Sequence, residues 1–328
     1  MKKAISFLLT LSLGIGTFGS MGAFAAEEGY PVTIENNGTT ITYEAAPERV
    51  VVLSYEVAEV MAALGLSDKV VALAPCMNRI DEALEEYQEV ISEMPLFEES
   101  GMTNGVPNLE TVLSVEPDFV YGSFYSFFSV NCGAAEDYLA NEIGIYAADS
   151  TWAEEKSLEN LYQEISNIGK IFGVEERAQE VIEELRAREA AVTAAVEGLE
   201  SVPVFVLDYD NGDGTFTSVG NKAYAHALVA LAGGENIFGD VEESYVTVSP
   251  EEIIARNPQA VLTISYYTED DGQNKIDTMM NSEDFQEVDA VTEENFLALG
   301  GLAFGASAGM QSLDALEAIA EFLHPEAF

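Results

Sequence analysis

Apolar positions along this chain form two repeating patterns, one on each side of a long helical stretch. Ala178, Val181, Ile182, Leu185, Val192, Val196 and Leu199 recur at mostly three- and four-residue steps, which lines them along one face of a helix. Glu175, Glu176, Arg177, Glu183, Glu184, Arg186, Arg188 and Glu189 fill much of the rest, so the opposite face meets water. Gly173 precedes the stretch, Gly198 loosens its end and Pro203 follows as a stop signal. A single helix over 174–199 is predicted.

Upstream of that helix, alternating runs around Asn37-Gly38 predict a hairpin. Short apolar runs at 49–54, 69–73, 119–121 and 144–147 then alternate with helical segments at 57–64, 81–91, 134–143 and 158–172. Asn108 caps a further short helix, which Pro117 ends. Downstream the alternation starts afresh. Strands are predicted at 202–207, 215–219, 260–265 and 296–299. Helices are predicted at 223–231, at 250–255 behind Ser249, at 277–280 and at 312–323. Short apolar strands alternating with helices mean mostly parallel sheets covered by helices. The expected fold is therefore α/β with two lobes, residues 26–173 and 200–328, joined by the helix 174–199.

The chain opens Met1-Lys2-Lys3, continues with an uncharged run and reaches Gly22-Ala23-Phe24-Ala25. A basic start, an apolar core and an A-x-A ending predict a signal peptide over 1–25. No cysteine lies near that cut, so a lipid anchor is not expected; export to the periplasm or to the medium is. The apolar run is short for a membrane span, and direct membrane insertion is not expected. Of 328 residues, 48% are apolar and 10% aromatic, as in a folded globule. The formal charge of −45 would repel nucleic acid and anionic membrane surfaces, which excludes both as partners. Two cysteines, Cys76 and Cys132, form either one disulfide or two buried thiols.

Several segments, in order, resemble one family: the substrate-binding proteins of bacterial ABC importers for ferric siderophores, haem and cobalamin. They are Pro47-Glu-Arg-Val-Val-Val-Leu with Ala62-Ala-Leu-Gly-Leu, and Asn108-Leu-Glu110 running to Pro117-Asp118. Ile168-Gly-Lys-Ile-Phe-Gly-Val-Glu-Glu-Arg-Ala, Gly233-Gly-Glu-Asn-Ile-Phe, Ser249-Pro-Glu251 with Arg256-Asn-Pro, and Phe322-Leu-His-Pro-Glu-Ala-Phe328 follow. The resemblance implies two lobes on a rigid helix, a chelated metal held between them, a monomer, and little closure on binding. It also implies that a glutamate on each lobe, Glu110 and Glu251, docks onto arginines of a permease dimer. Each lies in the first turn of a predicted helix, where a carboxylate favours the dipole.

In open α/β sheets ligands sit beyond the carboxyl ends of strands. That rule selects Tyr55, Cys76, Met77, Arg79, Tyr121, Phe124, Tyr125 and Trp152 in the first lobe. In the second it selects Tyr209, Tyr224, Tyr266, Tyr267 and Phe304. Aromatic faces and phenols suit a large conjugated or chelate ligand. Cationic side chains are scarce in this set, Arg79 and Lys222 being the candidates, so neutral or cationic chelates fit better than a tris-catecholate complex. No naked-metal site or resident cofactor is expected: His226 and His324 have no ligand-spaced partners, and Asp208 to Gly214 lacks the calcium-loop spacing. Gly305-Ala-Ser307-Ala-Gly309 matches a hydrolase elbow, with Asp314 and His324 following in triad order. The elbow lies too near the chain end for further strands to carry an acid and a histidine, so no enzyme is expected. A serine hydrolase using Ser307 and a ligand sensor uncoupled from transport are the alternatives.

Overall fold

The computed structural model describes residues 29–74, 80–98, 102–103, 105–266, 268, 270–305 and 308–328. Two all-parallel sheets of four strands organise them. In the first half Val70–Leu73, Val50–Val52, Phe119–Gly122 and Gly144–Ala147 lie side by side in that order. In the second the order is Gly234–Asn236, Val202–Leu207, Ala260–Ser265 and Phe296–Gly300. Every residue of Val50–Val52, Phe119–Gly122 and Ala260–Ser265 is buried, as strands covered on both faces must be.

One helix, Glu175–Val196, joins the halves and packs on both. Ala178, Val181, Ile182, Leu185 and Val192 are buried along it, while Leu199, beyond the last turn, is exposed. On one side lies the helix Leu158–Phe172. A Cβ placed on Gly169 would sit 2.5 Å from Cβ of Ala178, so glycine is what lets the two backbones approach. Tyr162 donates to Glu189 at 2.8 Å, and Arg186 grips Glu159 with bonds of 2.6 and 2.7 Å while lying over the Tyr162 ring. On the other side Arg188 reaches Glu317 at 2.7 Å and Asp314 at 2.5 Å on the helix Ser312–Leu323. A continuous apolar core runs from Val50 and Tyr121 through Ile168, Val181 and Leu185 to Val204, Leu262 and Leu316.

The hairpin pairs Val32–Asn36 with Thr39–Tyr43 around Asn37 and Gly38, both in the left-handed region. The predicted helix over 81–91 divides into a short 3-10 turn, Ile80–Glu82, and an α-helix, Glu85–Ser92. The strands that escape the sequence reading include two of the second lobe. Gly234 does not merely end a helix but starts Gly234–Asn236, which pairs with Val202 to Val204. Tyr245–Val248 joins Phe216–Val219 and Tyr209–Asp210 in an antiparallel sheet. Both are short and owe their existence to distant partners. Cys132 is a buried free thiol, and Cys76 lies outside the described residues.

Replacing Gly169 with alanine is expected to destabilise the fold by about 1–3 kcal/mol, the usual cost of overpacking, and Ala178→Gly in the same chain should restore most of the loss. Thermal melts of the single and double variants check this.

Candidate interlobe binding site

The carboxyl ends of the two parallel sheets face each other. Backbone N–H groups of the second half donate to side chains of the first at two points. Leu302 donates to Glu82 at 3.1 Å and Ala308 to Ser150 at 2.8 Å. Glu82 is itself placed by the buried Glu59, which accepts from the Leu84 N–H at 2.6 Å and so pins the turn that Glu82 belongs to. Ser150 lies in the short helix Asp149–Trp152 after the edge strand.

On the first lobe Phe124–Phe127 makes a 3-10 turn directly after the strand Phe119–Gly122. Its aromatic rings close on one another: Phe124 meets Phe128 edge-on at 4.7 Å and Tyr125 at 5.7 Å. Tyr125 stays 49% exposed. Aromatic rings clustered in solvent contact are apolar surface left uncovered by this fold.

On the second lobe Asp208 ends the central strand and Tyr266 follows the neighbouring one. The Tyr266 phenol donates to Asp208 at 2.5 Å. Its ring lies on backbone: a Cβ on Gly301 would come within 2.8 Å of it, and one on Gly305 within 2.3 Å of the Gly301 carbonyl. Lys275, almost fully buried, donates to Asp271 at 3.0 Å and to the Ile264 carbonyl. Its ammonium also stands 5.4 Å from the Tyr266 ring centre and 5.9 Å from that of Tyr209, within cation–π reach. Tyr209 and Tyr245 remain 47% and 43% exposed.

Burial raises the pKa of Asp208, against the Tyr266 hydrogen bond and Lys275, which hold it down. The Tyr245 phenol is pushed up to about 12 by burial, then by the nearby charges of Asp208 and of Tyr125 on the other lobe. Tyr125 and Tyr245 therefore stand near each other across the cleft. At neutral pH the phenols are uncharged hydrogen-bonding groups on flat apolar bodies.

Of the residues selected from sequence, Tyr209 and Tyr266 flank Lys275, and Tyr125 is the partly exposed member of the first lobe's aromatic cluster. Tyr55 is buried in the first turn of the helix Tyr55–Ala63. Tyr121, Tyr224 and Phe304 are fully buried in the core, where ring packing, not position after a strand, places them. Trp152 lines a depression of about 410 Å³ between the hairpin and Leu158–Phe172, its indole N–H on the Ala147 carbonyl at 3.2 Å. Met77, Arg79, Tyr267 and Ser307 lie outside the described residues. Sequence reasoning missed Tyr245, for which the alternating Tyr-Val-Thr-Val run was the available signal, and Asp208, whose importance depends on Tyr266.

Glu110 and Glu251 are both exposed. Asn108 caps the helix Leu109–Leu113 by accepting from Thr111, and Ser249 caps Pro250–Arg256 through a reciprocal pair with Glu252. Asp314 is engaged by Arg188, and His324 lies 3.1 Å from the Gly233 carbonyl, so each of these two has a partner outside the triad order. His226 sits beside Asn236 at 3.4 Å, lining a separate depression with Arg256. Among the described residues no three His, Cys, Asp or Glu side chains gather as a metal site, and no helix is long and apolar enough to cross a membrane.

Beneath the first lobe's carboxyl edge lies a buried acid pair. Glu164 accepts from Tyr121 and, at 3.0 Å, from the Asp149 N–H; Asp149 accepts from Tyr146 at 2.6 Å and Asn36 at 3.1 Å. Burial lifts Glu164 to about 8 and Asp149 to about 6.

A match to the periplasmic binding protein family spans residues 50–301, and the chain belongs to that family. It is 28% identical over 237 residues to a cobalamin-binding protein of Halobacterium salinarum, a match covering 71% of this chain and 58% of that one. The chain thus spans little more than half the length of that relative. A periplasmic binding protein from Veillonella parvula superposes with a TM-score of 0.77 at 25% identity, over 90% of this chain and 97% of that one. A protein of an ABC-type Fe3+-hydroxamate transport system from Saccharomonospora viridis gives 0.74 at 26%, over 90% and 99%.

The raised pKa of Glu164 fixes the sign of a pH effect. The folded state holds a proton that the unfolded chain releases at its ordinary value of 4.5, so stability falls as pH rises from there to about 8. Glu164→Gln should remove that slope, its advantage over the unaltered chain growing by on the order of a few kcal/mol between about pH 5 and about pH 9. Thermal melts across that range check it.

Proposed function

We propose that this protein is the extracytoplasmic solute-binding component of an ABC importer, capturing a chelated metal and handing it to the permease. What supports this is the set of aromatic side chains near the carboxyl ends of the two parallel sheets, Tyr125 and the Phe124–Phe128 pair on one lobe and Tyr209, Tyr245 and Tyr266 on the other, with Tyr125, Tyr209 and Tyr245 partly exposed. Such a set grips a broad, rigid ligand by stacking and hydrogen bonding, and offers no reacting group to change it. Relatives named for cobalamin and for ferric hydroxamate transport support a chelate: a ferric siderophore, a corrinoid or haem.

Residues 1–25 are the export signal in this reading, 26–173 and 200–328 the lobes, and 174–199 the bridge. Glu110 and Glu251 are the docking pair, one on each lobe, exposed in the first turn of capped helices. The permease dimer would offer a cation to each. The binding protein acts as a monomer, so one chain spans both permease subunits.

Native mass spectrometry of the purified protein, with calorimetric titration of corrinoids, ferric siderophores and haem, tests the reading. One chelate per chain is expected, and failure of all three classes to bind overturns it. Glu110→Arg and Glu251→Arg should each cut the stimulation of the transporter's ATP hydrolysis by this protein roughly tenfold while leaving chelate affinity unchanged. Full stimulation by both variants would refute the docking assignment.

A further inference from the structure

The structure assigns a charge preference to this cleft: we propose that the Asp208 carboxylate receives an ammonium or amide N–H on the periphery of the ligand, admitting cationic or amide-bearing chelates and rejecting anionic ones. The inference rests on the chelate-binding reading above and adds to it a residue and a ligand class.

Asp208 stands at the carboxyl end of the central strand Val202–Leu207, only 8% exposed. Tyr266 holds Oδ1 at 2.5 Å and so aims the group, while Tyr245 stands nearby. The cation beside it is already committed. Lys275 is 4% exposed, with its ammonium on Asp271 and the Ile264 carbonyl. Among the described residues, two carboxylates, Asp208 and Asp271, thus share one ammonium on this wall. The opposite lobe brings a further carboxylate, Glu82, whose Oε2 is occupied by the Leu302 N–H. A desolvated, oriented charge discriminates far more strongly than one in water, because the wrong sign meets it without screening. Phenols around it can stack and hydrogen-bond but cannot neutralise an incoming anion. Among the three ligand classes, haem with its two propionates and tris-catecholate iron are then disfavoured. A corrinoid ringed by amides, or a hydroxamate complex with an ammonium arm, is favoured.

Calorimetric titration decides this with two ligand series. One is a ferric trihydroxamate with a free alkylammonium arm, its N-acetyl form and its N-succinyl form. The other is an amide-bearing corrinoid and its carboxylate hydrolysis product, with haem as comparator. In the series that binds, affinity should fall about tenfold for each step toward negative charge. Asp208→Asn keeps an oxygen for Tyr266 and should narrow that spread to about threefold, with the melting temperature of the free protein unchanged. Should Asp208→Asn melt early, the series on the unaltered protein decides alone. Equal affinity for cationic and anionic forms overturns the charge preference and leaves the chelate reading standing. Haem binding more tightly than the amide corrinoid, or full discrimination kept by a well-folded Asp208→Asn, also overturns it. No binding by any compound removes the chelate reading and this inference together.

Discussion

The packing of one helix between two lobes is the constraint on which the rest of this structure depends. Glu175–Val196 is held by Leu158–Phe172 on one side and by Ser312–Leu323 on the other. Its apolar stripe belongs to a core that continues into both sheets. A helix satisfies its own backbone hydrogen bonds, so bending it costs bonds that a loop hinge would not lose. The exposed ion pairs around Arg186 and Arg188 add little energy individually but fix the rotation of the helix about its axis. The distance between the two carboxyl edges, and with it the width of the cleft, follows from that packing.

Within the cleft the chemistry is uneven. The first lobe offers aromatic rings packed on each other around Tyr125; the second offers rings organised by charge. Lys275 stands within reach of the Tyr209 and Tyr266 rings, while Asp208 accepts from the Tyr266 phenol. Burying a cation and a carboxylate is costly unless each is paired, and here the pairing also orients the walls. The glycines of the 300–309 stretch, which in sequence imitate a catalytic elbow, have a simpler reason in Gly301 and Gly305. Side chains there would collide with the Tyr266 ring and with the Gly301 carbonyl.

The buried acids on the first lobe serve a different end. Glu164 and Asp149 link the strand ends carrying Tyr121 and Tyr146 to the helix behind them. Every hydrogen bond there fixes the start of the segment that supplies Ser150 to the lobe contact. The cost is a raised carboxyl pKa, which a folded core can bear because neighbouring donors satisfy the oxygens.

The sequence alone determined the elements and their class, since helical and strand periods are local and survive without knowledge of partners. The long bridging helix, the two runs of buried parallel strands, the Asn37-Gly38 hairpin and the capped helices bearing Glu110 and Glu251 were all legible. The rule that candidate contacts follow the strands also brought Tyr125, Tyr209 and Tyr266 into view. That rule marks position and not depth, so it equally selected Tyr121, Tyr224 and Phe304, which the core absorbs. Only tertiary structure separated them, because burial depends on neighbours far away in the chain. Glu164 closes over Tyr121 from 43 positions away, and Tyr266 meets Asp208 across 58. Tyr245 entered the site for the same reason: its strand is defined by pairing with Phe216–Val219, which no local pattern states.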